Sequence, residues 1–395
     1  FVPIVWIIAA GTAVYWGVFQ HNIERGCLSA LAVLVVACPC ALGIATPLAA
    51  CLAIGKAAKA GVLIRSGDVL ERLPKIHRVF FDKTGTLTTG KLAVGEIVVS
   101  PEVTTDEVMS RLISLETASE HAIAKAIMGT VESRGCAVGS VADFRTHPGH
   151  GVSGLVTLNG STKKVSVGSL KFLSPDYEAP PELTQRKNGS RFTSTYIAWD
   201  GRIRGAVYMK DQIRPEASKT VRELADLGIS VAIISGDRED PVRKTAEAVG
   251  IRQFLYECTP VEKVEAVQEM RGKSRLRKKL IAVVGDGIND APALAEADVG
   301  IAIGGGTDLA RQASDVTLLG DDLLRIPWVI RLSQATYSII RQNLLWAFSY
   351  NIVAMGLAVM GHIHPLIAAT AMVASSLAVI TNSMRILRLP NLSED

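Results

Sequence analysis

The stretch Phe80-Phe81-Asp82-Lys83-Thr84-Gly85-Thr86-Leu87-Thr88 decides how this chain is read. Val79–Phe81 is a short apolar, β-prone run that stops at an aspartate, and Lys83-Thr84-Gly85 then makes a tight turn. In an open α/β sheet, reacting groups gather beyond the carboxyl ends of the strands. A carboxylate held there and backed by turn N–H groups has the chemistry of a nucleophile toward a phosphoryl group. A lone aspartate after a strand is ordinarily a cap or turn residue. The full string DKTGTLT in its strand–turn context is what carries the chemistry.

Working outward, Val231–Ile234 and Leu280–Val284 are two more β-rich runs, ending at Ser235-Gly236-Asp237 and Gly285-Asp286-Gly287. They alternate with helical patterns at Glu216–Leu227 and Asp240–Val249. Such alternation predicts a parallel sheet covered by helices, with all three acidic sites on one edge. This α/β domain spans 61–91 and 206–325, interrupted by an insertion over 92–205. Inside the insertion, Glu107–Ile127 has helical spacing. Gly151–Leu158, Lys164–Val167 and Thr195–Ala198 read as strands, and the polar stretch Pro175–Ser194 as loop. The insertion is therefore α+β.

Composition narrows the class. Charge is nearly balanced, 42 basic residues against 38 acidic, so nothing points to nucleic acid. Six cysteines, scattered apart from Cys38 and Cys40, form no disulfide framework and read as reduced thiols, which places the soluble portion in the cytosol. Hydropathy is uneven: residues 1–23, 26–55 and 342–384 contain no Asp, Glu, Lys or Arg. A helix needs about 20 apolar residues to cross a bilayer. The first two stretches fit one span each, and the third fits two, broken near Gly361-His362-Ile363-His364-Pro365. About four spans are expected, two within 1–60 and two within 326–395, the latter followed by a tail. Lys56, Lys59, Arg65, Arg331, Arg341, Arg385 and Arg388 flank the spans on one side, which places the large middle region and the tail in the cytosol. The reading is of a multi-pass membrane protein contacting lipid. Cys38-Pro39-Cys40 interrupts the second stretch; proline removes a helix hydrogen bond, and two thiols at the break make a soft-metal site suited to Cu(I) and able to hold Zn²⁺.

These motifs, in order, resemble those of the heavy-metal, copper-type P-type ATPases. DKTGTLT matches the family's phosphorylation site, Asp211-Gln212-Ile213-Arg214-Pro215-Glu216 its DxxRPE segment, and Pro260 with Lys263 its PxxK. Gly285-Asp286-Gly287-Ile288-Asn289-Asp290-Ala291-Pro292 matches GDGxNDAP, and Ser235-Gly236-Asp237 stands for Thr-Gly-Asp, a change that keeps the hydroxyl. The resemblance implies a haloacid-dehalogenase-like phosphorylation domain with an inserted nucleotide-binding domain, acting on ATP with Mg²⁺. It implies that Asp82 is the nucleophile, within a catalytic set of Asp82, Lys83, Thr84, Ser235, Gly236, Asp237, Lys263, Asp286, Asn289 and Asp290. Asp82, the Thr84 carbonyl and Asp286 would hold Mg²⁺, supported by Asp290, while Lys263 steadies the transferring phosphoryl group and Ser235 and Gly236 donate to its oxygens.

The same resemblance assigns adenosine contacts to Glu116, His121, Gly149, Gly151 and Gly168. Two positions depart from its pattern: Ala122 replaces the proline after the histidine, and Ser169 replaces an asparagine. Those departures bear on nucleotide affinity. For the transported ion it adds Tyr350, Asn351, Met372 and Ser376 to Cys38 and Cys40, a monovalent-copper pattern; a zinc pattern would carry charged ligands in the last two spans. Met372 on its own reads as core filler, and the serines as helix-packing residues. The implied activity is ATP-driven Cu(I) export, with a copper chaperone as a possible partner. The alternatives are a Zn/Cd-transporting ATPase, a truncated metal- and nucleotide-binding membrane protein that does not cycle, and a membrane-anchored phosphatase. No Thr-Gly-Glu string occurs in the sequence. Because the chain starts at Phe1 inside an apolar run, the expectation is a fragment whose actuator domain and earlier spans lie upstream, accepting phosphate at Asp82 but releasing it poorly.

Overall fold

The computed structural model describes residues 2–38, 40–117, 137–147, 150–184, 193–272, 280–286, 290–304 and 308–392. Two sheets organise the polar part of the chain. The first has seven strands in the order β1 (Val62–Ile64), β13 (Val316–Leu318), β12 (Val299–Ala302), β11 (Leu280–Gly285), β2 (Ile76–Phe81), β9 (Ser230–Ile234) and β10 (Gln253–Leu255). Every pair is parallel except the edge pair β1–β13. A parallel sheet must be covered on both faces, and alternation along the strands supplies the cover. Phe81, Ile233 and Val284 enter one core, while Phe80, Ala232, Ile281 and Val283 enter the other. The expected strands and the helices Ala217–Asp226 and Glu239–Val249 all form.

The second sheet is antiparallel, in the order β3 (Thr88–Val99), β8 (Arg202–Ile213), β7 (Thr193–Trp199), β6 (Ser161–Gly168), β5 (Gly151–Leu158) and β4 (Ser140–His147). The helix Thr105–Glu116 packs Val108, Leu112 and Leu115 into its core beside Val156 and Trp199. That helix is the described part of the expected Glu107–Ile127. β3 starts directly after the turn that follows β2 and pairs antiparallel with β8 from Thr88–Ile213 to Val99–Gly205, with register shifts between Thr88 and Leu92 and between Val94 and Glu96. The chain thus enters and leaves the second sheet on one pair of neighbouring strands.

Three helices are long and apolar enough to span a bilayer by length and composition: Val2–Phe19, Leu42–Lys59 and Pro365–Arg388. A fourth expected span lies in the 35-residue helix Arg325–Val359. Gln342, Asn343, Tyr350 and Asn351 dilute its apolar half, which is why it falls outside the three. The uncharged stretch 26–55, expected as one span, forms two helices, α2 (Ile23–Val36) and α3 (Cys40–Lys59), following α1 (Val2–Val14). The helix stops at Ala37, just before Cys38-Pro39, where the proline cannot donate to the ladder.

The membrane helices do not end where the sheet begins. Ala49, Ala53 and Ala57 of α3 and Ile326, Val329, Ile330 and Ile340 of the long helix share the core of the seven-stranded sheet. Arg331 Nη2 also sits 2.8 Å from Glu223 Oε2, tying the long helix to the helix Ala217–Asp226.

Candidate active site

Asp82 is the first residue past β2, and its N–H donates to Val284 O at 2.9 Å, continuing the pairing with β11. Its carboxylate is thereby fixed at the sheet edge, 7% exposed. Lys263 reaches the same spot from the first turn of the helix Pro260–Gly272. Reciprocal bonds set that turn: the Thr259 N–H donates to Glu262 Oε2 at 2.7 Å, and the Glu262 N–H to Thr259 Oγ1 at 3.3 Å. Lys263 Nζ then lies 2.6 Å from Asp82 Oδ1 and 2.7 Å from Asp290 Oδ1.

The electrostatics are unbalanced by design of the sequence. Carboxylate oxygens of Asp82, Asp286 and Asp290 lie within 4.8 Å of one another. Burial, then the nearby Asp290 charge, push Asp82 up to about 7 against the pull of Lys263. Asp286 is raised by burial and by Asp290 as well. Burial pulls the Lys263 ammonium down, but Asp82 and Asp290 outweigh it and hold it above its usual value. Three carboxylates facing one ammonium leave an excess of negative charge in a desolvated pocket. Hard, oxygen-only donors of this kind fit Mg²⁺. Asp82, the Thr84 carbonyl and Asp286 would hold it with Asp290 behind them, and the ion would supply positive charge for phosphate oxygens.

A second ion-pair cluster lies beside the first. Lys83 Nζ is buried between Asp237 Oδ2 at 2.7 Å and Asp211 Oδ2 at 3.1 Å. Burial works against its charge, yet the two carboxylates keep its pKa above the ordinary lysine value. Lys83 thus joins the strand β2 turn to β8 and to the β9 edge. Ser235 is buried at the end of β9, and its hydroxyl accepts the Asp237 N–H at 3.2 Å, leaving its own proton to donate. Thr84 is exposed, with Oγ1 3.4 Å from Asp237 Oδ2, and Gly236 is exposed at the turn. Asn289 lies outside the described residues.

The turn itself has strict requirements. Gly85 adopts φ 77°, and a Cβ there would collide with the Asp286 carboxylate. Arg214 clamps the turn from outside: Nε donates to Thr86 O at 2.8 Å and Nη2 to Gly85 O at 2.9 Å. Neither Arg214 nor Asp211 was among the expected catalytic residues, although both stand in the DxxRPE segment, which was the available signal.

In the inserted domain, Glu116 is buried at the end of its helix. Gly151 and Gly168 face each other across β5–β6, where a Cβ on either would meet Phe172 as well as backbone. Their smallness thus already has a packing reason. His121 and Gly149 lie outside the described residues, so the structure brings together only part of the expected adenosine set.

In the helical part, Cys38 is half-buried at the α2–α3 break and Cys40 opens α3; the Cys40 side chain lies outside the described residues. Cys38 is disulfide-bonded, which departs from the expected reduced thiols; a soft-metal site needs it reduced. The Tyr350 hydroxyl donates to Ala368 O at 3.5 Å, joining the long helix to the last one (Pro365–Met384), while Asn351 is half-buried. Ser376 Oγ bonds back to Met372 O at 3.1 Å, whereas the Ser375 hydroxyl is buried with no partner among the described residues. Of the two serines, the uncommitted one is the neighbour of the residue expected.

A sheet edge with a buried aspartate, a lysine from a following helix and two further aspartates defines a class. The haloacid dehalogenase-like hydrolase family matches residues 76–298, and the chain belongs to that family. Among curated proteins it is similar to a copper-exporting P-type ATPase of Staphylococcus saprophyticus, 39% identical over 98% of this chain and 48% of that protein. A probable copper-exporting P-type ATPase V of Mycobacterium tuberculosis is likewise 39% identical, over 98% of this chain and 50% of its own length. The crystal structure of a zinc-transporting PIB-type ATPase in its E2.Pi state superposes with a TM-score of 0.83 at 28% identity, covering 98% of this chain and 62% of that one. The resemblance to heavy-metal P-type ATPases therefore holds along the whole chain. The chain spans about half the length of the curated relatives it matches.

Proposed function

We propose that this chain is the phosphorylation and metal-binding core of an ATP-driven Cu(I) exporter. The observation that carries the reading is the buried contact of Lys263 with Asp82 and Asp290, on a sheet edge that also presents Asp286. Asp82, once deprotonated, attacks the terminal phosphorus of ATP. A bond forms between its carboxylate oxygen and phosphorus, the bond to the bridging oxygen breaks, and ADP leaves with that electron pair. Lys263 offsets charge on the transferring group, and Ser235 donates to one of its oxygens. Glu116 and the Gly151–Gly168 pair lie in the domain that would present the nucleotide.

Copper is favoured over zinc by the chemistry of the helices. Once reduced, Cys38 and Cys40 at a backbone break would form, with Met372 in the last helix, a soft donor set. No Asp, Glu, Lys or Arg occurs in 342–384 to accompany a divalent ion within the last two spans. The similarity to a zinc-transporting structure is the one observation favouring the other ion.

The deciding experiment is acylphosphate formation from radiolabelled ATP with Cu(I), Ag(I) or Zn²⁺ supplied. Cu(I)-dependent label in the wild type and none in Asp82→Asn is expected. Label persisting in Asp82→Asn would remove the nucleophile assignment, and label driven by Zn²⁺ alone would transfer the reading to a divalent pump.

A further inference from the structure

We propose that Arg214 couples the state of the Asp82 turn to the cytosolic end of the cysteine-bearing helix α3; the inference rests on the reading of Asp82 as phosphoryl acceptor. Arg214 is 7% exposed, and each of its three guanidinium nitrogens donates a hydrogen bond. One side of the fork holds the turn, through Thr86 O at 2.8 Å and Gly85 O at 2.9 Å. The other side, Nη1, donates to Asp321 O at 3.1 Å, with Asp321 Oδ2 at 3.6 Å. Its own N–H donates to Leu87 O at 3.0 Å, so the arginine backbone is also fixed to the turn.

Asp321 belongs to the segment between β13 and the long helix, and that segment closes onto α3. Leu319 N–H donates to Gly61 O at 2.7 Å, immediately after α3. Arg325 Nη1 donates to the same Gly61 O at 3.0 Å and also binds Leu319 O. Gly61 has φ 74°, and a Cβ there would collide with the Arg325 guanidinium, so the fit is specific to glycine. The contacts form one unbroken series: the Asp82 turn, Arg214, Asp321, the Leu319–Arg325 segment, Gly61, α3.

An arginine suits this task where a lysine does not. The guanidinium is planar and rigid, with donors diverging from one plane, so a shift of the turn carbonyls on one edge is delivered to Asp321 on the other. A phosphoryl group on Asp82 adds negative charge beside those carbonyls and changes what the turn must accommodate. The β1–β13 pair, with Val62 opposite Leu318, offers a parallel route through the sheet. The test has to separate the two.

The test uses the full chain in lipid nanodiscs, with hydrogen exchange followed before and after adding Mg²⁺ and beryllofluoride, a mimic of a phosphoryl group on an aspartate. In the wild type, exchange is expected to change at 82–88, at 317–326 and at 57–64. Arg214→Lys keeps the charge and loses the fork; it should retain the change at 82–88 and cut the changes at 317–326 and 57–64 by roughly fivefold or more. Arg325→Gln, which leaves the turn untouched, should retain the changes at 82–88 and 317–321 and lose that at 57–64. It also carries the test if Arg214→Lys fails to fold. A wild-type-sized response at 317–326 in Arg214→Lys, or at 57–64 in Arg325→Gln, overturns the coupling. So does a wild-type response confined to 82–88. No response at 82–88 in the wild type would remove the phosphorylation reading itself, and the inference with it.

Discussion

Lys263 Nζ stands 2.6 Å from Asp82 Oδ1 while both side chains are nearly sealed from water. The lysine comes from a helix 181 residues further along, so the contact exists only in the folded sheet edge. It is the only buried ammonium touching the three-aspartate group among the described residues.

Removing it should show which way the balance leans. In Lys263→Gln the Asp82 carboxyl loses its nearest positive charge and moves above its present value of about 7. Acylphosphate formation is expected to fall by roughly 100-fold or more, with the remaining activity shifted to higher pH. A pH profile of labelling measures both effects, and an unshifted profile would mean that the lysine is not coupled to Asp82.

Protonation of Asp82 also links stability to pH. Its folded value, about 7, lies above the ordinary 3.8. The contribution is therefore fully present below pH of about 4 and is lost as pH rises toward 7. Asp82→Asn cannot ionise, so its Tm advantage over the wild type in chelator should grow from pH 5 to pH 7.5 and then level off. Thermal unfolding at several pH values reads this directly. Mg²⁺ affinity should show the mirror image, weakening by about tenfold per unit below pH 7.

Gly85→Ala places a methyl group where the Asp286 carboxylate sits and forces alanine to φ 77°. The expected outcome is loss of Mg²⁺ binding and of labelling, with the inserted domain unaffected. Titration calorimetry with Mg²⁺ and with nucleotide separates the two domains. Mg²⁺ binding that survives in Gly85→Ala would show that the turn can rearrange.

Between the adjacent serines of the last helix, only one hydroxyl is uncommitted. Ser376 already donates to Met372 O, whereas Ser375 is 4% exposed and its hydroxyl has no partner among the described residues. Ser375→Ala should weaken Cu(I)-stimulated labelling by more than Ser376→Ala does. Equal effects, measured as the Cu(I) concentration for half-maximal label, would assign both serines to packing. Replacing Cys38 and Cys40 together by serine should abolish the stimulation altogether.

Much of the sheet edge was legible because its signals are local. An apolar run, an acidic stop and a helical pattern recur within single segments, and β2, β9 and β11 formed where those patterns lay. Arg214 was not legible as a clamp, since its partners are main-chain carbonyls 128 and 129 residues away, and carbonyls carry no sequence mark. The rotation of a transmembrane helix is equally hidden: Ser375 and Ser376 look alike in a run of small residues, and only neighbouring helices distinguish them. The split of 26–55 into α2 and α3 was foreshadowed by Pro39. The count of spans was less plain, because the long helix continues its apolar half into the cytosolic core without a break.

The strands β3 and β8 carry a consequence for how this molecule is put together. Thr88 and Ile213 face each other in one ladder, so everything between them leaves and re-enters the sheet edge at neighbouring points, about 5 Å apart. The inserted module is thus a plug on two adjacent pins. It can be cut out and closed with a short turn, exchanged for another, or expressed alone, without rethreading a single strand of its host.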